Sequence, residues 1–152
     1  MVMEEMVRMS KLIALKQGHH MPMLFLDGTI ARAPMILMEI PAEHEDRVKY
    51  MFLAGKKFSG KDEIGKLNKV FMIMEAWMGT NVNIRPSRDP KRIEVLIIAC
   101  LDILTNQQTV TSLEYVRDAS GTLADIKDYP MPDGVTAESP LLPAFVAGYN
   151  GQ

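Results

Sequence analysis

Cysteine is almost missing from this chain. Cys100 stands alone, so no disulfide can close within it. It lies in the apolar run Ile93–Leu104, where a small buried thiol is expected. No helix start or basic neighbour adjoins it in sequence to activate it as a nucleophile. Histidine is equally sparse: His19, His20 and His44 form no HxH or HExxH pattern. Adjacent residues on an extended chain point to opposite sides, so His19 and His20 cannot both serve one site. A zinc site needs three or four converging ligands, and no metal is expected from this set. No GxSxG elbow accompanies the serines, which leaves no legible nucleophile and base. Long hydrophobic runs are lacking too, all far below the ~18–20 residues that cross a bilayer. Glu4 and Glu5 precede any apolar stretch, unlike a secretory signal. The expectation is a cytoplasmic protein that does not enter membranes.

What is there suits one globular domain. The chain has 152 residues, 47% hydrophobic and 24% charged, with a net charge of −2. That length can bury a core without a disulfide or metal, so residues 1–152 are read as a single domain. Residues 129–152 form a C-terminal extension with a short helix. Charge is unevenly spread: residues 56–92 carry nine Lys/Arg and four Asp/Glu, residues 93–152 two and eight. Such asymmetry suits a solvated face or a self-complementary surface between copies. Nucleic acid is not the expected partner, since the whole-chain pI is near 5.9 and not basic.

The segment Gly55-Lys-Lys-Phe-Ser-Gly60-Lys61 imitates the start of a phosphate-binding loop. Such a loop needs a strand before it and a helix after it. Here a helix precedes it, and Asp62 stands where a magnesium-binding hydroxyl belongs. A basic connection from helix to strand is the better reading, and no cofactor is expected.

Periodicity supplies the elements. Met1–Gln17 has helical spacing with Met6, Met9, Ile13 and Lys16 on one stripe, stopped by Gly18. Pro22–Asp27 and Met35–Ile40 read as a hairpin around Asp27-Gly28, with Pro34 and Pro41 at strand ends. A helix runs from Pro41 to about Phe58, acidic at its start, basic at its end, and buried through Val48, Met51, Phe52 and Gly55. Leu67–Thr80 and Ile93–Leu104 are apolar on both faces, the mark of central strands. Thr109–Arg117 alternates more weakly, with Asn106-Gln107 in the turn before it. Asp118–Gly121 turns into the strand Thr122–Lys127. A Pro/Gly/Asp-rich stretch, Tyr129–Thr136, follows. Ser139-Pro140 then predicts a helix over Pro140–Gly148, with Pro143 tolerated in its first turn.

The order α-β-β-α-β-β-β(β)-α implies an α+β fold, an antiparallel five- to six-stranded sheet with helices packed on it. This order resembles the profilin-like layout of roadblock and longin-type modules, with a five-stranded sheet between helices. The resemblance lies in element order and in no residue motif. It implies a fold and no activity.

One cluster carries chemistry. Glu75 and Trp77 share a face near the end of an otherwise hydrophobic strand. A buried carboxylate must be hydrogen-bonded or paired with a cation. The following segment, Arg85-Pro-Ser87-Arg-Asp89-Pro-Lys-Arg92, supplies cations, with Glu94 just beyond. One reading pairs Glu75 or Glu94 with Arg85 or Arg92 to fix the inter-strand loop. The other is an anion or substrate pocket walled by Trp77 and built from Glu75, Arg85, Ser87, Asp89, Arg92 and Glu94. The function these features favour is a non-catalytic interaction or regulatory module that forms a homo-oligomer, expected as a dimer, with a further protein partner open. Its rivals are a small enzyme or binder of an anionic ligand at that cluster, and a nucleic-acid-associated protein.

Overall fold

A computed structural model gives the fold and describes residues 2–59, 63–79, 83–84, 86–130 and 139–151. Three helices and six strands follow one another: α1 (Met3–Gln17), β1 (Met23–Gly28), β2 (Arg32–Ile36), α2 (His44–Phe58), β3 (Leu67–Met78), β4 (Ile93–Asp102), β5 (Gln107–Arg117), β6 (Leu123–Asp128) and α3 (Leu141–Tyr149). The strands form one antiparallel sheet in the order β2-β1-β3-β4-β5-β6. The two strands read as central from their two-faced apolar runs, β3 and β4, do lie in the middle. Both are buried on both faces through Val70, Phe71 and Ile73, and through Val95, Leu96 and Ile98.

The described residues gather into two compact units. One takes in residues 1–22, 73–99 and 110–135, the other 23–72, 100–109 and 136–152.

In the first unit, α1 begins with Glu4 and Glu5 and ends on Gly18 at φ 80°, whose N–H bonds the Ala14 carbonyl at 2.8 Å. This left-handed cap is where glycine costs least. Its buried stripe is Met6, Ser10 and Ala14, not the expected Met6, Met9, Ile13 and Lys16. The reason is size: small Ser10 and Ala14, four residues apart, bring the helix close to its neighbours, which rotates Met9 outward to 38% exposure. β5 and β6 pair from Leu113↔Asp128 to Arg117↔Leu123, with an irregularity at Val116/Arg117.

In the second unit, β1 and β2 pair from Met23↔Ile36 to Asp27↔Arg32. The second strand therefore begins earlier than the expected Met35–Ile40, and Pro34 sits inside it opposite Phe25. β2 is an edge strand, where a missing N–H loses no ladder bond if it faces outward. The turn between them is locked to the segment before β3. Thr29 N–H donates to the Lys66 carbonyl (2.8 Å) and Ile30 N–H to that of Ile64 (3.0 Å). Asp27 is buried and accepts from Arg32 Nε at 3.2 Å.

Helix α2 starts at His44 with Glu43 as its cap, not at Pro41. Gly55 and Gly148 mesh α2 with α3. A Cβ on Gly55 would strike the Phe145 carbonyl, and one on Gly148 the Phe52 carbonyl. The Tyr149 hydroxyl donates to Gly65 O at 2.8 Å and ties α3 to the loop before β3. Helix α3 starts at Leu141 with Pro140 at the cap position, one residue later than expected, and Ser139 stands just outside it, its hydroxyl accepting from Leu141 N–H at 3.3 Å. The phosphate-loop-like stretch divides: Gly55–Phe58 belongs to α2, and residues 60–62 lie outside the described residues. Most of the Tyr129–Thr136 stretch lies outside them as well.

Candidate functional site

The polar cluster belongs to the first unit and grows from three adjacent strands. Along β3, the two-residue period puts Ile73, Glu75 and Trp77 on one face. Ile73 is fully buried, Glu75 is half-buried and Trp77 is 42% exposed, so this face passes from core to solvent at Glu75. β4 contributes Glu94, preceded by Arg92, and β5 contributes Tyr115 and Arg117.

The cations and carboxylates do not pair across the loop as expected. Glu94 is bound by Arg117, whose Nη2 lies 2.6 Å from Oε1 and whose Nε lies 3.1 and 3.2 Å from the two oxygens. Arg117 also donates to the carbonyls of Gly121 (3.0 Å) and Gly18 (3.4 Å). One guanidinium thus joins β4, the β5–β6 turn and the end of α1. The fork geometry of guanidinium on carboxylate makes this the strongest charge-assisted contact of the cluster. Glu94 beside it raises the Arg117 pKa further above its ordinary value.

Glu75 takes a different partner again: the backbone N–H of His20 donates to its Oε2 at 3.0 Å. His20 is buried, and its Nδ1 stands 2.7 Å from the Met21 carbonyl. A carbonyl can only accept, so Nδ1 donates in this contact. The His20 Nε2 has no hydrogen-bond partner, and neither does the buried Tyr115 hydroxyl. The hydroxyl lies beside the Glu75 carboxylate without closing a well-aligned bond. Burial, reinforced by Glu75, pushes the Tyr115 pKa well above the ordinary phenol value.

Arg92 has neither Glu75 nor Glu94 as partner. Its guanidinium stacks 4.5 Å from the Trp77 ring centroid and donates to Asp89 O at 3.4 Å. Asp89 is buried and shapes the turn, its Oδ1 accepting from Lys91 N–H at 2.9 Å. Ser87 belongs to a single 3-10 turn, Pro86–Arg88. Arg85 lies outside the described residues.

Of the expected site, then, Glu75, Trp77, Arg92 and Glu94 share one region, and Asp89 supports the turn that leads into it. His20, Tyr115 and Arg117 were missed. The three histidines are too few for a metal site, and nothing local marks the backbone contact of His20 with Glu75. Arg117 carried one signal, its place as one of only two cations in the acidic stretch 93–152, but a cross-strand partner 23 residues away leaves no local trace. Among the described residues no three His, Cys, Asp or Glu side chains gather as metal ligands. No described helix is long and apolar enough to cross a membrane. No protein-family model matches the chain, no curated protein matches it, and no solved structure matches it.

A second surface in the same unit stands out by chemistry. One flank of α1, with Thr111 of β5, forms a groove of about 550 Å³ lined by Met3, Glu4, Val7, Arg8, Lys11, Leu12 and Leu15. Leu12 is 64% and Leu15 42% exposed. With Met3 and Val7 these leucines make the flank mostly apolar.

Proposed function

We propose that this chain is a non-catalytic interaction module that self-associates through the outer flank of α1. The observation that carries this reading is the exposed pair Leu12 and Leu15 beside the Met3/Val7 groove. They sit on a helix whose own packing is already met by Met6, Ser10 and Ala14. The polar cluster supports the same reading from the other side. Its strongest cation, Arg117, is engaged with Glu94, and three structural segments meet on it, which is a framework role.

The test is analytical ultracentrifugation of the whole chain over a dilution series around micromolar concentration. Wild type is expected to dimerise, and Leu12→Asp/Leu15→Asp to remain monomeric with an unchanged melting temperature. A wild type that is monomeric throughout overturns the reading.

A second reading, capture of a small anion, has one observation in its favour. Arg92 lies over the exposed Trp77 ring, and no carboxylate among the described residues pairs with it. Phosphate-dependent thermal stabilisation that disappears in Arg92→Ala would favour it.

A further inference from the structure

A sheet that ends on an unpaired strand offers its outward N–H and C=O groups to any other extended chain. β2 is such a strand, and its register fixes which groups face out. The Gly28 N–H donates to the Ala31 carbonyl at 3.0 Å, the hydrogen-bonded pair that closes the hairpin. Hydrogen-bonded and open pairs alternate along an antiparallel ladder. Counted from Gly28↔Ala31, the pairs Leu26↔Ala33 and Leu24↔Met35 exchange bonds, and Arg32, Pro34 and Ile36 stand at open pairs. The backbone polar groups of those three residues therefore point away from β1, and all three residues are exposed. The middle one has no N–H to offer.

β2 has no second guard. Bulges, unpaired charges and covering elements also blunt sheet edges. The ladder of β2 with β1 runs without a register shift. Its one charge, Arg32, is drawn onto Asp27 of β1 at 3.2 Å. Ala33, Pro34, Met35 and Ile36 are uncharged, and Ile36 is 52% exposed. The other edge strand, β6, is built differently. The Tyr129 N–H donates to the Ser112 carbonyl at 3.0 Å, so the same count sets the Ile126 N–H outward. The Asp125 carboxylate already accepts that N–H at 2.8 Å. The register shift at Val116/Arg117 adds local twist to the same edge.

We infer that Pro34 is the device that closes the β2 edge to strand addition, and that the partner it excludes is β2 of a second copy. Laid antiparallel about a two-fold axis at position 34, two copies of β2 would set Arg32 against Ile36 and residue 34 against itself. Position 34 would then form the central hydrogen-bonded pair. Two prolines there remove both of its bonds, and their ring carbons stand where the facing carbonyls would lie. This surface is distinct from the flank of α1, and the inference does not rest on the self-association proposed above.

The test uses Leu12→Asp/Leu15→Asp as the parent, so that association through α1 does not enter. Adding Pro34→Thr restores the missing N–H with a residue that suits strands. This variant is expected to sediment as a dimer or larger where its parent is monomeric, with a melting temperature close to the parent's. In the associated form the amides at 32, 34 and 36 should become slow to exchange. Hydrogen exchange of wild type, read by NMR, should find Ala33 and Met35 protected while Arg32 and Ile36 exchange freely. A folded Pro34→Thr variant that stays monomeric at every concentration overturns the inference. Protection of Arg32 and Ile36 in wild type overturns it as well, and that result needs no variant to fold.

Discussion

Helices α2 and α3 and helix α1 solve the same problem in opposite ways. α2 and α3 approach until backbone meets backbone, each glycine seated on the other helix's carbonyl, Gly55 on Phe145 and Gly148 on Phe52. α1 buries a narrow stripe of Met6, Ser10 and Ala14 and leaves Leu12 and Leu15 outside. A helix pair closed at glycine has no room for another atom. A helix that buries only one stripe keeps surface for something else. Rigidity and availability are therefore divided between the two regions, and substitutions should separate them.

The largest effect is expected where nothing can give. Gly148→Ala drives a Cβ into a main-chain carbonyl, which no rotamer can relieve, so α3 must shift away from α2. The expected loss is about 3 kcal/mol, at the upper end of ordinary overpacking. For a chain of this size that lowers the melting temperature by roughly 10 °C. Gly18→Ala is the control, because its φ of 80° is unfavourable for alanine but open space surrounds it. That should cost ~1 kcal/mol. Equal melting temperatures for the two variants would mean that α2 and α3 are not in close contact.

The next effect belongs to Cys100 in β4. Burial pushes its thiol from 9.0 up to about 11, opposed by Lys69 and reinforced by Asp102. The folded pKa is raised, so the folded chain holds its proton after the unfolded chain has lost it. The contribution to stability is complete below pH 9 and is lost as pH rises from about 9 to about 11. Two pKa units amount to roughly 2–3 kcal/mol. Wild type should lose that much more stability than Cys100→Val over the same interval, measured by urea unfolding at each pH. Parallel curves for the two proteins would show that the thiol titrates as in the unfolded chain. At neutral pH Cys100 should also resist alkylation until the protein unfolds, as expected of a buried thiol without an activating neighbour.

The polar cluster sharpens the comparison within the first unit, because it holds two arginines in different settings. Arg117 grips Glu94 and two carbonyls, whereas Arg92 rests on an exposed ring. Arg117→Ala leaves the half-buried Glu94 without its cation and should cost about 2 kcal/mol. Arg92→Ala should cost under about 1 kcal/mol, in keeping with an exposed cation–π contact. The reverse order in chemical denaturation would return the structural role to the loop preceding β4.

These contrasts show which parts were legible in the residues. β3 and β4 were readable because a strand buried on both faces carries two interleaved apolar sets, and both sets are local. A helix near the C-terminus was readable because Ser139 and Pro140 mark its start locally, although the cap falls on Pro140 and not on Ser139. The partner of Glu94 was not, since strand pairing joins residues far apart and any nearby arginine looks equally suitable. Pro34 misled for a related reason: a proline argues against a central strand, and only the sheet order reveals that β2 is an edge. The stripe of α1 was misjudged because methionines and isoleucine outweighed serine and alanine in hydrophobicity. Close packing instead selected the smaller side chains.

The smallest effect tests the turn that Arg117 also touches. The Asp118 Oδ1 accepts from the Ser120 hydroxyl at 2.6 Å, Ser120 N–H at 2.9 Å and Thr122 N–H at 3.1 Å. All three bonds favour the carboxylate, and the Ser120 hydroxyl, then the Thr122 N–H, hold its pKa below the ordinary 3.8. The folded pKa is depressed, so the stability it adds is present above the unfolded value and fades as pH falls through the folded one. The group is fully exposed, and solvent screens much of the interaction. Asp118→Ala should therefore lower the melting temperature only slightly at pH 7, and the difference from wild type should shrink as pH falls below the ordinary 3.8. Asp118→Asn keeps an acceptor oxygen for the turn but cannot titrate. It should stay close to wild type at pH 7 while losing the pH dependence, which separates the shape of the turn from its charge. An Asp118 carboxyl that titrates at or above 3.8 by NMR would show that the turn does not hold it.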